Sequence, residues 1–188
     1  MQKIEYPLAS STWDSKEIEA IKKVIDTNKF SMGRYVYDYE KKFAKFFGSK
    51  YAVMVNSGSS ANLLMIAAMF YSKKPKLKAG DEIIVPSVSW STTYTPLQQY
   101  NLKVKFVDID RKTLNIDCSK LEKAITKKTK AILLVNLLGN PNNYDHIKKI
   151  IANKDIHILE DNCESMGAKF DDKYTGTFGL AGTFSSFF

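Results

Sequence analysis

From Tyr51 onward, short apolar runs alternate with longer stretches of helical spacing, and this rhythm restricts the folds open to the chain. The runs fall at residues 51–55, 82–85, 104–107, 131–135 and 156–159, with a further candidate at 182–187. Helical patterns fall between them at about 60–72, 92–100, 119–126 and 144–152. Strands separated by helices imply right-handed crossovers and a mostly parallel sheet with helices on both faces. The expected class is therefore α/β. Upstream, Asp14 and Glu17 have the spacing of a capping box, and Ile18, Ile21 and Ile25 recur at helical intervals with Val24 beside them. A second helix is predicted from about Tyr35 to Phe47, stopped by Gly48. No linker, repeat or low-complexity tract breaks the chain. Residues 1–30 read as an N-terminal arm and helix, and 31–188 as one domain.

Composition excludes several classes of function. A chain of 188 residues that is 44% hydrophobic can bury a sizeable core and is too apolar for a disordered tail. Its two cysteines, Cys118 and Cys163, are too few for a disulfide scaffold and suit a reducing compartment. No apolar run approaches the roughly 18 residues of a membrane span. Residues 1–7 carry no apolar signal segment, so a cytoplasmic protein is expected. The net charge of +8 invites a nucleic-acid reading. Among the 28 basic residues, however, only Arg34 and Arg111 are arginine, the residue suited to forked phosphate and base contacts. The lysines are scattered, which fits a solvated surface and mild attraction for an anionic small substrate. Neither nucleic acid nor a membrane is an expected partner. His146 and His157 have no metal-ligand spacing to each other or to the cysteines, so no metal site is expected.

In a parallel sheet flanked by helices, ligands bind beyond the carboxyl ends of the strands. The segments just after the apolar runs are therefore where chemistry is sought. Ser57-Gly58-Ser59-Ser60-Ala61-Asn62 precedes an apolar helix. There Gly58 permits close backbone approach, and free amides beside serine hydroxyls suit an anion. The same segment can equally be a serine N-cap after a tight turn. It matches neither the dinucleotide fingerprint nor the triphosphate loop. Asp161 closes an apolar run, where a carboxylate is costly unless paired. It can hold a proton on a heterocyclic nitrogen or cap the following turn. Glu164, three residues on, either faces the same cavity or lies in solvent. Trp90 either stacks on a flat ring or serves as a core or lid residue. Ser185 either offers a hydroxyl to a phosphate or is an ordinary strand serine. Cys163 sits beside these carboxylates and reads as a buried inert thiol.

Taken in order, these segments resemble the sugar aminotransferase family (DegT/DnrJ/EryC1/StrS type), whose large domain has the fold-type-I pyridoxal-phosphate architecture. The matching pieces are Asn56-Ser57-Gly58-Ser59-Ser60-Ala61-Asn62-Leu63, Gly80-Asp81-Glu82-Ile83-Ile84-Val85-Pro86-Ser87, Phe106-Val107-Asp108-Ile109-Asp110, Leu159-Glu160-Asp161 and Gly182-Thr183-Phe184-Ser185. Finer wording, such as Tyr6-Pro7-Leu8-Ala9-Ser10 and Glu160-Asp161-Asn162-Cys163-Glu164, resembles a branch that removes a sugar hydroxyl instead of leaving an amine.

The resemblance implies a cofactor, pyridoxal or pyridoxamine 5′-phosphate, and a nucleotide-sugar substrate. Gly58 and Ser59 would hold its phosphate with help from Ser185, and Trp90 would stack on its ring. Asp161 would bind the ring nitrogen and Glu164 would contact the phenolic side. The implied reaction is dehydration at C3 of a nucleotide-linked 4-keto-6-deoxyhexose in deoxysugar and O-antigen biosynthesis. A true aminotransferase is the alternative within the family, and a non-catalytic nucleotide or nucleic-acid binding module the alternative outside it. The catalytic residue, Lys or His according to branch, is expected near position 190, past Phe188. A homodimer is expected of the whole protein. The resemblance also implies that residues 31–188 are an incomplete large domain, with the small domain and one inserted strand absent.

Overall fold

The computed structural model describes residues 11–186. The arm expected over 1–10, with its Tyr6-Pro7-Leu8-Ala9-Ser10 wording, lies outside the described residues, as does Phe187 at the end of the last expected strand. The chain runs α1 (Ser15–Asp26), α2 (Arg34–Phe47), α3 (Gly58–Tyr71), β1 (Glu82–Pro86), α4 (Ser91–Gln99), β2 (Lys103–Val107), α5 (Cys118–Ala124), β3 (Thr129–Val135), α6 (Tyr144–Ile150), β4 (His157–Asp161), β5 (Lys169–Phe170), β6 (Lys173–Tyr174) and β7 (Ala181–Thr183). The main sheet has the order β2-β1-β3-β4-β7, and every pair in it is parallel. The α/β class with a parallel sheet is therefore correct.

Alternation along each strand distributes the core. Ile83, Val85, Ala131, Leu133 and Leu159 pack against Met65, Ile66 and Met69 of α3 and Leu97 of α4. Their neighbours Ile84, Ile132, Leu134 and Ile158 face Leu121 of α5 and Tyr144, Ile147 and Ile150 of α6. Burial on both faces explains why these strands read as continuous apolar runs.

The two N-terminal helices form as their sequence signals predict. Asp14 accepts the amide of Lys16 at 2.7 Å while Glu17 accepts that of Asp14 at 2.7 Å, completing the capping box. Gly48 ends α2 in the left-handed region at φ 71°, a conformation that costs glycine little. No residue of α1 is buried, and Ile18, Ile21 and Ile25 are exposed along one stripe.

Residues 51–55 depart from expectation. They form no strand, and Tyr51, Val53 and Met54 are exposed. The amide of Met54 donates to Glu40 at 2.8 Å instead of entering a ladder. An apolar run signals β-propensity but becomes a strand only where a neighbour offers hydrogen bonds, and none pairs with it among the described residues. The last strand is also shorter than expected. Phe184 leaves the sheet and packs against Phe43 and Phe47 of α2, with ring centroids 5.1 and 4.7 Å away. A small hairpin, β5–β6, was not foreseen. Its turn residues Asp171 and Asp172 both have positive φ, 45° and 60°, as a type I′ turn requires, but they lack the usual glycine signature.

Beneath the sheet's carboxyl edge lies a buried carboxylate that the sequence did not single out. Glu160 is fully buried, yet its Oε1 accepts the amides of Phe178 and Gly179, each at 2.6 Å. Its Oε2 accepts the amide of Gly176 at 2.7 Å and the hydroxyl of Tyr144 at 2.6 Å. Burial and the adjacent Glu160 push the Tyr144 hydroxyl's pKa up, so it stays a donor. These bonds fasten the loop after β6 to β4. In the intact protein, Tyr144→Phe should cost about 1.5–3 kcal/mol in urea denaturation, the range for a hydrogen bond to a charged group. A cost indistinguishable from zero would show that the three amides suffice. Leu133→Ala, at the centre of the sheet, should cost about 2–5 kcal/mol in the same measurement.

Candidate functional site

The candidate site stands on the carboxyl edge of the sheet, and β4 delivers its central group. Alternation points Glu160 to the α6 side and Asp161 to the α3/α4 side. Asp161 is 5% exposed. Its Oδ2 accepts two side-chain donors from different helices: Asn62 Nδ2 of α3 at 2.8 Å and Thr93 Oγ1 of α4 at 2.7 Å. Its Oδ1 accepts the backbone amide of Cys163 at 3.2 Å. The two oxygens are therefore unequal, one clamped by two strong donors and the other lightly held.

The clamp is itself supported. Thr183 is the register partner of Asp161 on β7, and its hydroxyl donates to Asn62 Oδ1 at 2.7 Å. Ser89 Oγ lies 2.8 Å from Thr93 Oγ1. Because the proton of Thr93 is committed to Asp161, Ser89 must be the donor in that pair. Asn62, Thr93 and Thr183 were missed in the sequence. Asn62 was legible as the polar member of an otherwise apolar helix face, but nothing local marks either threonine.

Gly58 begins α3 and is buried. A Cβ on it would stand 2.7 Å from Cys163 Sγ and 2.8 Å from Ser185 Cβ, so three chain segments meet here at distances only glycine allows. Ser57 caps the helix, its hydroxyl accepting the amide of Ser60 at 3.1 Å. The amides of Gly58 and Ser59 have no acceptor among the described residues. They open onto the same edge as Asp161. Cys163 is half-buried, and burial, followed by the charge of Asp161, pushes its thiol's pKa up. It is therefore a packing residue and no thiolate nucleophile at neutral pH.

Trp90 is the residue before α4, its carbonyl accepting the amide of Thr93 at 3.0 Å. It thus lies one helical turn from the residue that clamps Asp161, on the same edge, and the residue is 70% exposed. Tyr94, half-buried nearby, donates to the carbonyl of Pro86 at 2.8 Å, and burial followed by Asp161 raises its pKa. Glu164 is exposed, and its Oε2 accepts the amide of Leu138 at 3.1 Å. This ties the turn after β3 to the segment after β4. The structure thus brings Gly58, Ser59, Asp161, Cys163 and Ser185 to one edge with Trp90 beside them, and sets Glu164 at its rim. Among the described residues no cluster of His, Cys, Asp and Glu could hold a metal ion.

Such an arrangement can receive a flat heterocycle. A carboxylate surrounded by donors offers one acceptor oxygen to a protonated ring nitrogen, helix-start amides suit an anionic substituent, and an exposed indole can cover a ring face. Known proteins share the whole architecture. GDP-4-keto-6-deoxy-D-mannose 3-dehydratase of Yersinia pseudotuberculosis is 70% identical over 185 residues, covering 98% of this chain and 47% of that enzyme. A structure of the E. coli enzyme of that name with bound hydrated PLP superposes with a TM-score of 0.96 at 70% identity, covering 98% of this chain and 48% of that one. A variant of GDP-4-keto-6-deoxymannose-3-dehydratase with bound GDP-perosamine gives a TM-score of 0.96 at 70% identity, covering 97% and 47%. The chain therefore spans about half the length of the curated relatives it matches first. The model of the DegT/DnrJ/EryC1/StrS aminotransferase family matches residues 11–188, and the chain belongs to that family.

Proposed function

We propose that this chain forms the cofactor-binding part of a pyridoxal or pyridoxamine phosphate-dependent 3-dehydratase acting on a GDP-linked 4-keto-6-deoxyhexose. Its place would be in colitose-type deoxysugar and lipopolysaccharide O-antigen synthesis. The observation that carries the reading is a buried edge carboxylate, Asp161, inside a chain 70% identical over 98% of its length to an enzyme with that activity.

The residues fit the cofactor. The unengaged amides of Gly58 and Ser59 suit a phosphate, and Ser185, whose Cβ lies against Gly58, brings a hydroxyl to the same point. Asp161 Oδ1 suits the ring N–H, and Trp90 suits the ring face. Glu164 keeps Oε1 for the phenolic side while Oε2 holds Leu138. When bound, the cofactor supplies an amine for the sugar's keto group and an electron sink that lets the C3 hydroxyl leave. The chain's own contribution is to keep a hydrogen-bond acceptor at the ring nitrogen and to hold the phosphate by backbone.

Residues 31–188 act as part of a large domain, preceded by an arm and helix over 1–30. A homodimer is proposed for the whole protein, a state that would cover the exposed isoleucines of α1. A cytoplasmic site of action suits two unpaired cysteines and a nucleotide-activated substrate. Among the described residues no helix is long and apolar enough to cross a membrane.

Single turnover of the full-length protein, loaded with pyridoxamine phosphate and given GDP-4-keto-6-deoxymannose, should release a sugar lighter by one oxygen atom, as read by mass spectrometry. A product with an amine in place of the keto oxygen would instead assign an aminotransferase. Asp161→Asn should slow the turnover about a hundredfold or more, comparable to losing one preorganised electrostatic partner. Gly58→Ala should weaken cofactor binding, because its Cβ would collide with Cys163 and Ser185. An unchanged titration of the absorbance band with added cofactor would remove Gly58 from the site.

A further inference from the structure

The hydrogen bonds around Asp161 run in one direction. Asp161 as a carboxylate only accepts, so Asn62 must turn its amide nitrogen toward it. That places Asn62 Oδ1 toward β7, where Thr183 donates at 2.7 Å. On the other side, Ser89 donates to Thr93 and Thr93 donates to Asp161. Two chains of donors, from β7 through α3 and from the β1–α4 connection through α4, converge on Oδ2 alone. Asn62, Thr93 and Thr183 are all nearly fully buried, so water does not substitute for these bonds. Neither chain touches Oδ1.

We propose that Asn62, Thr93 and Thr183 are positioning residues that fix the rotation of the Asp161 carboxylate, so that Oδ1 and not Oδ2 faces the ring nitrogen of the cofactor. This rests on the cofactor reading above and deepens it. A carboxylate with one clamped oxygen cannot rotate to offer whichever atom a ligand prefers. The aligned donors also polarise one another. Thr183 reaches Asp161 indirectly, through Asn62 and through the Cys163 thiol, so β7 influences the ring without contacting it.

The test uses the full-length protein reconstituted with PLP carrying nitrogen-15 in its ring, and follows the ring nitrogen's NMR shift against pH. In the natural protein the nitrogen should stay protonated through the neutral range. Thr93→Val should lower its pKa by about one unit, a tenfold change in the proton equilibrium. Thr93→Ser, which keeps the hydroxyl, should restore the natural curve. Thr183→Val, remote from the ring, should move the curve in the same direction by a smaller amount. A residue that only stabilises the fold would lower the melting temperature and leave the nitrogen curve in place. If Thr93→Val and Thr183→Val both bind PLP with the natural curve while Asp161→Asn abolishes ring protonation, the clamp is refuted and the cofactor reading stands. If Asp161→Asn also leaves the curve unchanged, the cofactor reading itself fails.

Discussion

Placing a carboxylate at the end of a strand buried on both faces is expensive, because the charge leaves water. This chain does so twice in succession, at Glu160 and Asp161, and surrounds each with donors. The donors differ in kind. Glu160 is held by three backbone amides and a tyrosine, a set that leaves neither oxygen available. Asp161 is held by two side chains on one oxygen and one long amide contact on the other, and the Cys163 thiol also bonds the carboxylate. One carboxylate serves as a structural pin and the other keeps an acceptor for a ligand. The sheet, the helix starts and the loop geometry all act to hold that second carboxylate in place.

The separation of roles follows from the pleat. Successive residues of β4 point to opposite faces, so Glu160 meets α6 and the segment after β6, while Asp161 meets α3 and α4. The same alternation sets Thr183 of β7 alongside Asp161. Parallel strands bring every carboxyl end to one edge, and each helix that follows begins there. Gly58 at the start of α3, Trp90 before α4 and Asp161 at the end of β4 are 103 positions apart at their extremes, yet they share that edge because of topology alone.

Much of the fold was legible because its signals are local. The capping box at Asp14, the glycine stop at Gly48 and the continuous apolar runs of β1, β3 and β4 each depend on a few neighbouring residues. Residues 51–55 were misread because strand formation also depends on a partner, which a single segment does not encode. The β5–β6 turn was missed because Asp171 and Asp172 adopt positive φ without glycine. In the site, Asp161 and Gly58 stood out by their place after an apolar run. The residues that orient Asp161 did not, because Asn62, Thr93 and Thr183 lie 31 to 121 positions from one another and become related only around one carboxylate.

The most direct measurement is a crystal structure of the full-length protein with bound PLP. The ring nitrogen should lie within hydrogen-bond distance of Asp161 Oδ1, with Asn62 and Thr93 still on Oδ2. A ring bound elsewhere, or one whose nitrogen faces a neutral group while Asp161 keeps only protein partners, would contradict it.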